Sequence, residues 1–165
     1  MEFWLTILGA ILAVGGGFLA KAIERRQDRK SLRAALRAEI QAILAIVERR
    51  EYLPGLSRFV EAIRVGSPNF FEVRIGKDYD IVFRSNCDKL GLLPPETAAR
   101  TVGFYYLVSS IVEDINLLRD AGESPGLQAR YGLNANARNL AFHEEMLRLS
   151  LETVALGNNL IQELA

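Results

Sequence analysis

Apolar and polar residues alternate along the chain in three regimes. From Phe3 to Ala20 eighteen consecutive residues carry no charge, and leucine, isoleucine, valine, alanine and glycine dominate. As a helix rising 1.5 Å per residue this run spans about 27 Å, close to the hydrocarbon thickness of a bilayer. From Leu32 onward the pattern becomes helical and one-sided: Leu32, Leu36, Ile40, Ile43, Leu44 and Val47 recur at steps of three and four, one apolar face of an amphipathic helix. No Gly or Pro interrupts residues 18–53, so the spacing predicts one helix running out of the uncharged run without a break.

Pro54-Gly55 predicts the end of that helix, with a second one over about 56–65 that turns Phe59, Val60 and Ile63 inward and stops at Gly66-Ser67-Pro68-Asn69. The stretch Phe70–Ile75 alternates modestly and is expected to be extended. Asp78 or Asp80 is placed to cap a short helix over 81–90, closed by Gly91. Pro94-Pro95 suits the first turn of a third long helix, whose broad apolar face runs through Val102, Tyr105, Tyr106, Val108, Ile111, Val112, Ile115 and Leu118 up to Gly122. A Gly-, Ser-, Pro- and Asn-rich connection over 123–134 precedes a last helix over about 135–164. The predicted fold class is all-α: an N-terminal transmembrane helix (1–23) continuing into a small antiparallel helical bundle (24–165).

Charge gives the uncharged run a direction. The chain balances 20 basic against 20 acidic residues, but Lys21, Arg25, Arg26, Arg29, Lys30, Arg33 and Arg37 face only Glu24 and Asp28 between positions 21 and 37. Positive residues stay on the cytoplasmic side of a membrane. The expected topology is therefore a single pass in the cell inner membrane, N-terminus out and C-terminal domain cytoplasmic. Lys21, Arg25, Arg26, Arg29, Lys30 and Arg33 form a collar for anionic lipid headgroups. Ala20-Lys21-Ala22 has the small-x-small form of a signal-peptidase site, the chief alternative to a retained anchor. Against it stand Glu2 in an n-region without Lys or Arg, and the basic segment beyond the cut. Gly9, Ala13 and Gly17, spaced by four, offer a stripe on which two membrane helices can approach closely, so a homo-oligomer or a protein partner is expected. No aromatic residues are interleaved with the basic ones, so no nucleic acid is expected as partner.

The residues Ser85–Ile115, SNCDKLGLLPPETAARTVGFYYLVSSIVEDI, carry a resemblance. With the N-terminal apolar run and basic stretch, the turn Leu90–Glu96 and the aromatic helix at Phe104–Tyr106 resemble the layout of small bacterial single-pass membrane-anchored helical proteins. The resemblance implies that architecture and a membrane location, and carries no activity with it.

Candidate chemistry is sparse. His143 is the only histidine and lacks the second ligand of a zinc or di-iron helix; a surface or half-buried position beside Glu144 is expected. Cys87 is the only cysteine, which excludes an intramolecular disulfide; it is expected to be partly buried. Glu113-Asp114 and Glu144-Glu145 project about 100° apart on a helix, so neither pair converges on one substrate. No phosphate-binding glycine loop or serine nucleophile motif occurs. No catalytic residues, metal or cofactor are therefore assigned, and a protein-interaction module is expected rather than an enzyme. The alternative is an enzyme or small-ligand receptor with a site assembled inside the bundle. Arg100, Glu39 and Glu113 gathered in one pocket would favour that alternative.

Overall fold

The structure is a computed structural model. It describes residues 2–66, 75–76, 78–123 and 137–165, with their side chains except at 2–16, 18, 118–123 and 137–139. The expected extended stretch at 70–75 lies outside these residues apart from Ile75, which is non-helical, and most of the 123–134 connection lies outside them as well.

Among the described residues four substantial helices make the fold: α1 (Glu2–Arg49), α2 (Tyr52–Arg64), then, after a short α3 (Ile81–Arg84) and a 3₁₀ helix (Cys87–Leu92), α4 (Pro95–Glu123) and α5 (Ala137–Glu163). The described residues hold no strand, and the fold is all-α. The uninterrupted α1 follows from its composition, since no residue in its second half breaks the backbone hydrogen-bond ladder.

The break between α1 and α2 falls three residues earlier than Pro54-Gly55 predicts. The chain turns at Arg50-Glu51, where Glu51 adopts a left-handed conformation, φ 51°. Pro54 then sits in the first turn of α2, where an N–H would have no helical partner, so the ring costs nothing there. Pro95 opens α4 for the same reason. The helix expected over 81–90 is instead two short pieces, and Gly91 lies inside the 3₁₀ turn. Asp80 occupies the N-cap position of α3 without a side-chain cap; the capping acceptor comes from α1.

α5 runs antiparallel to both α1 and α4. Arg33 of α1 and Arg100 of α4 both reach Glu163 at one end, while Ile115 and Met146 pack together toward the other. Two buried clusters result. Leu32, Leu36, Ile40, Phe104 and Leu160 centre one; Leu56, Phe59, Val60, Ile63 and Met146 centre the other, where α2 lies on α5. Three buried hydroxyls, Thr101, Ser150 and Thr153, each donate to the carbonyl four residues back at 2.7 Å, so they enter the core without an orphaned polar atom.

At Gly157 the side chains of α1 and α4 press close against the backbone of α5. A Cβ added there would lie 2.8 Å from Phe104 Cε2 and 3.1 Å from Leu44 Cδ1. Gly157→Ala should therefore lower stability by about 1–2 kcal/mol in a denaturant titration: overpacking a filled site costs about 1–3 kcal/mol, against which alanine's helix propensity returns about 0.5–1. A stabilised variant would mean that Phe104 has room to move.

Candidate functional site

Residues 19–31 of α1 stand apart from the bundle. Every residue from Leu19 to Ser31 is exposed, and the first buried position is Leu32. Leu19 and Ile23, at 67% and 57% exposure, are large apolar side chains with no protein cover. The collar residues Lys21, Arg25, Arg26, Arg29 and Lys30 are exposed on this stalk. Arg33 differs: half-buried, its guanidinium donates to the carbonyl oxygens of Glu163 (2.8 Å) and Ala165 (3.1 Å), a cation on the negative end of α5. Five of the six collar residues are thus presented to the surroundings, and the sixth binds α5. Gly17 is exposed with open space around it; the side chains of Gly9 and Ala13 lie outside the described residues. Among the described residues no helix is long and apolar enough to cross a membrane. Most side chains of the run Phe3–Ala20 are not among them.

Inside the bundle, Glu39, Arg100 and Glu113 do not share a pocket. Arg100 is paired with Glu163, and Glu113 is exposed. Beside it, the half-buried Asp114 has its carboxyl pushed above the usual range, chiefly by burial and then by the Glu113 charge. Glu39 is a structural lock. Its carboxylate accepts the backbone N–H groups of Val82 (2.7 Å) and Phe83 (2.9 Å) and the hydroxyl of Tyr105 (2.7 Å), while the Phe83 ring stacks on that of Tyr105 at 4.0 Å.

Burial, with the carboxylate beside it, pushes the Tyr105 hydroxyl far above its ordinary value of about 10. Its neutral form is therefore favoured in the folded state. The contribution to stability is complete below pH 10, where the unfolded phenol is also neutral, and falls as pH rises above it. Between pH 9 and 11 the wild-type denaturation midpoint should fall more steeply than that of Tyr105→Phe. Parallel curves would contradict the assignment.

Two expectations about single residues are corrected. His143 is fully buried rather than half-exposed. Its ring sits edge-on to Phe59 at 5.0 Å and to Phe142 at 5.3 Å, because α2 covers this face of α5. Cys87 is exposed rather than partly buried and its thiol donates to the Phe83 carbonyl at 3.3 Å. Glu144 and Glu145 do diverge, one to Arg64 and the other to Arg148, both at 2.6 Å. No group of three or more His, Cys, Asp or Glu residues among the described residues could hold a metal ion.

The feature that sequence reasoning missed is a cavity of about 340 Å³ at the seam of the two core clusters, lined by α1, α2, α4, α5 and by Ile75, Gly76, Asp78 and Tyr79. Its inner wall is buried, with Leu56, Phe104, Val108 and Ile115. Its outer residues, Ile46, Arg50, Gly76 and Asp78, are exposed. The hydroxyls of Ser150 and Thr153 in the lining already donate to their own helix. Only the joint convergence of five segments makes this cavity, so no local pattern announces it.

The fold and surface define an all-α bundle carried on a projecting, basic N-terminal helix. No protein-family model matches the chain, and no curated protein or solved structure is significantly similar to it.

Proposed function

We propose that the chain is a membrane-anchored helical module, whose first helix inserts residues 3–20 into the cell inner membrane and holds the bundle at the cytoplasmic surface for contact with itself or another protein. One observation carries this: α1 passes as a single helix from an uncharged run long enough for a bilayer, through an exposed basic stalk, into a bundle whose other helices leave that stalk uncovered. Exposed Leu19 and Ile23 beside Lys21 and Arg25 suit the interface between acyl chains and headgroups. Glu39 and Arg100 are engaged in separate structural contacts and Glu113 is exposed apart from them, which favours an interaction module over an enzyme. The likeness to bacterial single-pass membrane-anchored helical proteins belongs to the same proposal.

The full chain should remain in the membrane pellet after carbonate extraction, keep its N-terminal residues by mass, and become soluble when residues 1–20 are removed. Recovery of the full chain in the carbonate supernatant would sink the anchor. A C-terminal fluorescent-protein fusion should fluoresce and a periplasmic phosphatase fusion stay inactive; the reverse result would invert the topology. Changing Lys21, Arg25, Arg26, Arg29 and Lys30 together to Gln should lower binding of a 17–165 fragment to anionic vesicles at least tenfold, since each cation near the surface contributes about 1 kcal/mol. Affinity purification from solubilised membranes that retrieves no stoichiometric partner, including a second copy, would remove the interaction role.

A further inference from the structure

We draw no further inference here: the strongest candidate, the half-open apolar cavity at the seam of the two core clusters, is lined in part by Ile75, Gly76 and Asp78, next in the chain to residues outside those described, and nothing in the structure shows what covers it.

Discussion

Phe104→Ala should destabilise the protein by about 3–5 kcal/mol, the largest single-residue effect in the bundle. The ring is fully buried, and it sits where three helices meet: edge-on to Tyr105 on its own helix at 5.3 Å, and against the Leu44 and Gly157 side of α1 and α5. Removing it deletes the transfer free energy of an aromatic side chain and adds the cost of the space left behind. That space cannot collapse easily, because the ring also forms part of the wall of the 340 Å³ cavity, and the two voids would merge. Phe104→Leu, which keeps most of the volume, should recover more than half of the loss. Guanidinium titration of the full chain in mild detergent, followed by far-UV circular dichroism, measures both. A loss below about 1.5 kcal/mol for the alanine variant would mean that the helices close over the gap. Gly157→Ala perturbs the same contact from the other side. Its effect should therefore be non-additive with Phe104→Ala, the smaller side chain at 104 relieving the clash.

The parts of this fold that were legible in the sequence are those decided by neighbours on one helix. Leu32, Leu36 and Ile40 are buried as their spacing predicts, as are Tyr105, Val108 and Ile115 on α4. Tyr106, expected on the same apolar face, is instead 74% exposed, because successive helical residues point about 100° apart and Tyr105 takes the inward position. What escaped depends on contacts between distant segments. Glu39 reads as an ordinary polar position on an amphipathic helix, yet its partners lie 43, 44 and 66 residues away. His143 reads as polar beside two glutamates, and only the arrival of α2 buries it. Arg33 belongs by composition to the collar but is withdrawn by the end of α5. The break at Glu51 was misplaced because Pro and Gly ordinarily end helices, whereas here they follow a left-handed residue and start one.

Glu39→Ala should cost about 2–4 kcal/mol and loosen one end of the bundle selectively. Three donors lose their acceptor at once. The amides of Val82 and Phe83 head the short α3, and this carboxylate accepts from both. They are half-buried and can turn partly to water. The Tyr105 hydroxyl belongs to a residue 3% exposed and has less recourse to solvent, so its stranded donor accounts for much of the cost. Glu39→Gln keeps one acceptor oxygen but sets an NH₂ group against the remaining donors, and should lose at least half as much as alanine. Tyr105→Phe removes a single bond and its orphan together, at about 1 kcal/mol, and in the Glu39→Ala background it should cost almost nothing. That coupling separates the lock from a merely well-packed position. Amide exchange at Val82 and Phe83 should accelerate in Glu39→Ala beyond what the global loss of stability accounts for, because this carboxylate ties α3 to α1 while the Phe83–Tyr105 stack holds it to α4. Uniform acceleration across all four long helices would instead make Glu39 a contributor to the core as a whole.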